Sequence, residues 1–111
     1  MNPKDMREQY RKLALEWQAS QGVSRVANRI FDKHLALYRK IRDTPEGAEV
    51  IAELMDDPAP AERLLAASHS LSTDPAKAER VLEDIEAEGT IFAIDAKYTL
   101  RGFREGTLNL D

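Results

Sequence analysis

Residues 23–41, VSRVANRIFDKHLALYRKI, carry the most regular pattern in this chain of 111 residues. Apolar and aromatic side chains recur there every three or four positions, which is the repeat of one face of an α-helix. That face consists of Val23, Val26, Ala27, Ile30, Phe31, His34, Leu37, Tyr38 and Ile41. The stretch therefore predicts a long amphipathic helix that packs against other helices.

Five further helices are predicted from their start signals. Asn2-Pro3, Thr44-Pro45 and Asp74-Pro75 each place a capping side chain before a proline, as is typical of helix N-termini. The other two begin at Pro60 and Thr90. The residues expected inside the five helices are Met6, Tyr10, Leu13 and Trp17; Ala48, Ile51, Leu54 and Met55; Leu64, Leu65, Ala67, Ser68 and Leu71; Ala78, Val81, Leu82 and Ile85; and Ile91, Phe92, Ile94, Ala96, Tyr98, Leu100 and Phe103. No stretch alternates strictly between apolar and polar residues, so the predicted fold class is all-α, a bundle or short α-solenoid of five or six helices.

Composition excludes several classes of protein. Cysteine is absent, which rules out a disulfide framework, a cysteine-based zinc site and a thiol nucleophile. No apolar run approaches the ~18 residues that span a bilayer. The first residues, MNPKD, lack the apolar stretch of a signal peptide. We therefore expect a cytoplasmic protein.

The formal net charge is −4, and the charged residues are distributed unevenly along the chain. Residues 1–44 carry ten Lys or Arg and five Asp or Glu, whereas residues 45–111 carry six and fifteen. Two stripes of like charge follow helical spacing: Arg25, Arg29 and Lys33 in the second helix, and Glu46, Glu49 and Glu53 in the third. Such stripes either oppose each other across a helical hairpin or dock a charged partner.

The stretch 56–67, DDPAPAERLLAA, resembles the opening of a HEAT-type repeat, with an acidic turn, a proline, and a short helix that contains an arginine and paired alanines. Residues 74–89 would be the second helix of that repeat. Over residues 50–106 the chain is similar to small uncharacterised bacterial domains of the HEAT/armadillo-like class. The resemblance implies a helical fold and brings no established activity or functional residue with it.

The length of the chain predicts one domain over residues 1–111. Residues 1–43 would form a helical hairpin that caps the HEAT-like helices of residues 44–106. Residues 107–111 would form a tail that docks Leu108 and Leu110.

Candidate catalytic and metal-binding residues are few. Neither His34 nor His69 has a glutamate three residues before it, so a helical metal site is not predicted. We interpret His34 as a packed, hydrogen-bonded residue. The chain has no nucleophile elbow and no glycine-rich phosphate loop. The residues that could line a pocket are His69, Asp95 and Tyr98. If Asp95 is buried it needs a cationic or hydroxyl partner, and the resemblance to HEAT repeats implies Arg63 for that role.

The leading functional hypothesis is a cytoplasmic protein–protein interaction module without catalytic activity or cofactor. Its contact residues would be Arg25, Arg29 and Lys33 on one face and Glu46, Glu49 and Glu53 on the other, binding another protein or a second copy of the chain. One alternative is an immunity-type protein that neutralises a basic toxin. Another is a ligand-binding or enzymatic helical domain that uses the His69, Asp95 and Tyr98 pocket. Nucleic acid is disfavoured because the basic stripe is short and the chain is acidic overall.

Overall fold

The computed structural model describes residues 1–108, and six α-helices make up the regular secondary structure there. The predicted all-α fold class is confirmed. The helices belong to two compact units, with the boundary between Leu54 and Met55. The expected docking of Leu110 lies outside the described residues.

The first unit, unit 1, contains α1 (Pro3–Ala19), α2 (Ser24–Ile41) and α3 (Pro45–Leu54). Helix α1 is central because it packs against both α2 and α3. The buried side chains of these helices are Met6, Tyr10, Ala14 and Trp17; Ala27, His34, Leu37, Tyr38 and Ile41; and Val50, Ile51 and Leu54. The burial of Tyr10 and Trp17 agrees with the apolar face predicted for α1.

The second unit, unit 2, contains α4 (Pro60–His69), α5 (Pro75–Glu88) and α6 (Ala93–Glu105). Here the middle helix is central, since α5 packs against α4 and against α6. The buried side chains are Ala61, Glu62, Leu64, Leu65, Ala66 and Ala67; Ala78, Leu82 and Ile85; and Ala96 and Leu100. Burial of so much of α4, including Glu62, was not expected from the sequence.

The boundary between the units differs from the division expected from the sequence. We expected residues 1–43 to form a helical hairpin that caps the helices of residues 44–106. Helix α3 instead belongs with the first two helices, because it packs against α1.

Local side-chain chemistry sets the helix starts as predicted. The carboxamide oxygen of Asn2 accepts a hydrogen bond from the Asp5 backbone N–H at 2.9 Å, and the Asp74 carboxylate accepts one from Lys77 N–H at 3.3 Å. Both bonds satisfy backbone donors that a helix leaves unpaired in its first turn. At the other end of α5, Gly89 adopts the left-handed conformation with φ of 69°, which ends that helix.

The turn between α2 and α3 depends on a glycine. The Thr44 hydroxyl donates to the Ile41 carbonyl at 2.7 Å and accepts from the Gly47 backbone N–H at 3.0 Å. A Cβ atom at Gly47 would collide with that carbonyl and would stand 2.7 Å from the Thr44 hydroxyl oxygen. Gly47 therefore lets the first turn of α3 approach the end of α2 closely.

Several apolar residues expected inside their helices are on the surface. In α6 and the turn before it, Ile91, Ile94 and Tyr98 are exposed. The buried side chains there are Phe92, Ala96 and Leu100, whose spacing of four defines a different side of the helix. In and next to α2, Val23, Val26 and Phe31 are also exposed. Both corrections have one physical reason: the apolar faces are wider than the neighbouring helices can cover.

Candidate functional site

The basic stripe of α2 lies on the solvent-exposed side of that helix. Arg25, Arg29 and Lys33 are all exposed, and we call these three residues the basic flank. Their spacing of four places them one above another on successive turns. Within residues 1–108, none of the three forms a hydrogen bond or an ion pair.

The acidic stripe of α3 does not neutralise the basic flank. Glu53 accepts a hydrogen bond from an Arg7 guanidinium nitrogen of α1 at 2.7 Å. Glu46 and Glu49 are exposed and have no ion pair with the described residues. The reason is topological, because α3 lies mainly against α1. The expectation that the two stripes oppose each other is wrong for this part of the chain.

An exposed apolar side chain borders the basic flank. Val26 follows Arg25 by one residue and precedes Arg29 by three, and its side chain is 37 % exposed. A guanidinium can bind a carboxylate through two parallel hydrogen bonds, and the flank offers two guanidinium groups. The flank can therefore combine carboxylate binding with a small apolar contact.

The structure places the predicted pocket residues on two different helices. His69 is the last residue of α4 and is half-buried, whereas Asp95 and Tyr98 belong to α6. Tyr98 is 58 % exposed, and the Arg101 guanidinium carbon lies 5.6 Å from its ring centroid. A shallow depression described in unit 2 is lined by other residues: Asp56, Lys77, Arg80, Val81, Glu83 and Asp84.

The pairing of a buried Asp95 with Arg63, which the HEAT resemblance implied, is absent from the described residues. Asp95 is exposed, because it lies about 100° around α6 from the buried Ala96. Partial desolvation nevertheless raises the pKa of its carboxyl group. Arg63 instead donates two hydrogen bonds to the carboxylate of Glu88, at 2.8 and 2.9 Å. This bidentate bond raises the pKa of Arg63 and lowers that of Glu88.

Other carboxylates of unit 2 are also bound by its own cations. Arg104 donates to Glu79 at 3.0 Å and to Glu83 at 2.6 Å, and these bonds raise the pKa of its guanidinium. Lys77 donates to Asp56 at 2.8 Å. These partners lie 21 to 25 residues apart, so no local pattern in the sequence points to them. Four carboxylates of unit 2, Asp56, Glu79, Glu83 and Glu88, therefore form ion pairs within the unit.

His34 is buried in unit 1, as predicted. It is 1 % exposed, and its ring centroid lies 4.0 Å from that of Tyr10 in an edge-on arrangement. Burial lowers the pKa of His34 to about 4, and a hydrogen bond with the Tyr10 backbone acts weakly in the opposite direction. The imidazole is therefore neutral at pH 7.

The described residues contain neither a cluster of metal-binding side chains nor a membrane-spanning helix. In residues 1–108, no three histidine or acidic side chains lie close enough to hold a metal ion together. None of the helices there combines the length and the apolar character needed to cross a bilayer.

Comparison with known proteins adds one structural neighbour. No family model matches the chain, and no curated protein matches it. The chain is similar in structure to the crystal structure of the protein RPA1889 from Rhodopseudomonas palustris, with a TM-score of 0.87 and 23 % sequence identity. The match covers 98 % of this chain and 93 % of that one. At this level of identity the likeness shows a shared all-α fold.

Proposed function

We propose that this protein is a non-catalytic, cytoplasmic interaction module that binds an acidic protein surface through the basic flank. The observation that supports the proposal is that the side chains of Arg25, Arg29 and Lys33 form no ion pair within residues 1–108. Like charges at this spacing repel one another by a few tenths of a kcal/mol per pair, about 0.2–0.5. A partner that brings carboxylates would relieve that repulsion.

Three other arginines differ from those of the basic flank. Arg7, Arg63 and Arg104 each bind a carboxylate of their own unit. The two arginines of the basic flank do not, although unit 1 also contains the exposed carboxylates Glu46 and Glu49. The proposal keeps the HEAT-like reading of residues 50–106, in which stacked helices present surfaces for binding.

Charge reversal tests the proposal. The triple variant Arg25→Glu, Arg29→Glu and Lys33→Glu should lose a partner that the tagged wild-type chain captures from lysate of its native host. Raising the salt concentration should weaken the wild-type capture, because exposed charges are screened.

The matched control changes the net charge equally at other sites. Lys4, Lys12 and Arg80 are exposed, and none of them belongs to the basic flank. Their reversal to glutamate should leave capture unchanged. If both triple variants lose the partner, net charge and not the flank controls binding. If neither loses it, the assignment to the basic flank is wrong.

One observation favours a second candidate, the neutralisation of a basic toxin. Glu46 and Glu49 are exposed without an ion pair in the described chain, so α3 offers two free carboxylates. Co-expression should then protect cells from such a toxin, and Glu46→Lys with Glu49→Lys should abolish the protection. Reversal of the basic flank would leave protection intact, which separates the two functions.

A further inference from the structure

A second exposed surface lies on unit 2, away from the basic flank in sequence. Ile94 and Tyr98 of α6 and Ile91 of the preceding turn are 64 %, 58 % and 67 % exposed. Ile94 and Tyr98 are four residues apart and lie one above the other on α6, and Ile91 lies two residues before the start of the helix. We call these three residues the α6 seam. Large apolar side chains with this exposure and spacing are typical of a surface that another helix covers.

Two cations that form no ion pair within residues 1–108 border the α6 seam on one side. Lys97 and Arg101 are exposed, and neither forms an ion pair with a residue of the described chain. Arg101 lies against the Tyr98 ring, where its charge is attracted by the π-electrons. The neighbouring cation Arg104 differs, since it binds Glu79 and Glu83. Positive charge therefore remains available next to the seam itself.

We propose that the α6 seam docks an amphipathic helix of a protein partner, with acidic residues beside the apolar ridge of that helix. The four-residue spacing of Ile94 and Tyr98 matches the repeat of a facing helix, which would bury the seam. Glutamates or aspartates on the flank of the partner helix would face Lys97 and Arg101. The proposal rests on a different surface from the basic flank and does not depend on the function proposed for it.

A second copy of this chain is a poorer occupant. A two-fold axis through the seam would pair α6 with an antiparallel α6, so equivalent flanking residues would meet. Lys97 would then approach the Lys97 of the other copy, and Asp95 would approach the other Asp95. Like charges opposite each other destabilise helix pairs. Charge complementarity therefore favours an acidic helix from another protein.

The test uses two designed helical peptides and the isotope-labelled full chain. Both peptides carry the same leucine ridge; one has glutamate on the flanking positions and the other has lysine. The acidic peptide should shift the backbone amide resonances of α6 at concentrations below about 1 mM, and the basic peptide should bind about tenfold more weakly or not at all. Reversal of Lys97 and Arg101 to glutamate should invert this preference.

Variants of the seam distinguish specific docking from non-specific apolar binding. Ile94→Asp should abolish binding of the acidic peptide, whereas Val23→Asp, at an exposed site of unit 1, should leave it unchanged. Equal binding of both peptides, or no binding up to about 1 mM, would overturn the proposal. A dimer in light scattering that Ile94→Asp dissociates would assign the seam to self-association instead. Binding to anionic vesicles but to neither peptide would assign it to a lipid surface.

The two proposals can fail separately. The variant with a reversed basic flank should bind the acidic peptide like the wild-type chain, because the α6 seam is intact in it. Loss of peptide binding in that variant would contradict the assignment to α6.

Discussion

Acidification should destabilise this protein at the buried residue His34, in addition to any loss at the salt-bridged Glu88. In the folded chain its pKa is about 4, whereas an unperturbed histidine has a pKa of 6.5. Between these values the unfolded chain binds a proton that the buried imidazole does not accept. The free energy of unfolding must therefore fall as the pH decreases through this window.

The size of the effect follows from the difference between the two pKa values. A drop from 6.5 to 4 corresponds to about 3 kcal/mol once the pH is below both values. At pH 5 about 2 kcal/mol of this is already lost, and at pH 7 almost nothing. A loss of that size lowers the urea midpoint of a small protein by about 1 M.

Replacement of the imidazole by an amide isolates this contribution. His34→Gln cannot take up a proton, so the part of the pH dependence that belongs to His34 should disappear. Lower stability of this variant at pH 7 does not affect the comparison, because the measured quantity is the difference between pH 7 and pH 5. The raised pKa of Asp95 works in the opposite direction, stabilising the fold in acid, and cancels when the two proteins are compared.

The assay is urea unfolding at several pH values, followed by tryptophan fluorescence. Trp17 is the only tryptophan, it is buried, and it belongs to the same unit as His34. The control is His69→Gln, which removes the other imidazole and should keep the steep pH dependence of the wild-type chain. Equal pH dependence in the wild-type chain and in His34→Gln would refute the reasoning.

Three further substitutions test the fold. Gly47→Ala should lower the free energy of unfolding by about 2 kcal/mol or more, because the added methyl group overpacks the α2–α3 turn, although alanine is the better helix former. The control Gly22→Ala, which adds a methyl group in open space, should be neutral in the same thermal melts. Equal melting temperatures for these two variants would contradict the close approach. Asp74→Ala should lower the free energy of unfolding by about 1 kcal/mol in urea titrations, since it removes the cap of α5, and an unchanged value would mean that the cap contributes nothing. Arg63→Lys should lower the free energy of unfolding by up to about 1 kcal/mol because lysine cannot make both hydrogen bonds to Glu88. The two residues are coupled if Arg63→Lys has no effect when Glu88→Gln is already present. An equal cost in both backgrounds would show that they are not coupled.

The sequence predicted what depends on neighbouring residues. The starts of α1, α3 and α5 rest on hydrogen bonds that span three residues, so Asn2, Thr44 and Asp74 were recognisable from their order along the chain. The basic flank was also recognisable in the sequence, because the four-residue spacing of its side chains depends on one helix only. The absence of ion pairs to the basic flank within residues 1–108 could not be predicted, since it depends on which helices pack together.

Features that depend on tertiary packing were missed or misplaced. The partner of Arg63 is 25 residues away, and the partner of Arg7 is 46 residues away. Nothing local distinguishes either glutamate from its neighbours in the chain. The error for α6 has a related origin, because hydropathy marks Ile94 as apolar without showing which side of the helix faces α5. Its exposure, and with it the α6 seam, could be found only in the structure.

The order of the helix contacts bears on how the chain is made. Within unit 1, every contact between helices joins residues among the first 54, and α1 meets its neighbour α2 across a short turn. Contacts of such short sequence separation form in about microseconds to milliseconds. A ribosome that adds about 5–20 residues per second needs several seconds for the rest of the chain. This order of contacts favours assembly of unit 1 during translation, which would place the basic flank on a folded helix while the protein is still being synthesised.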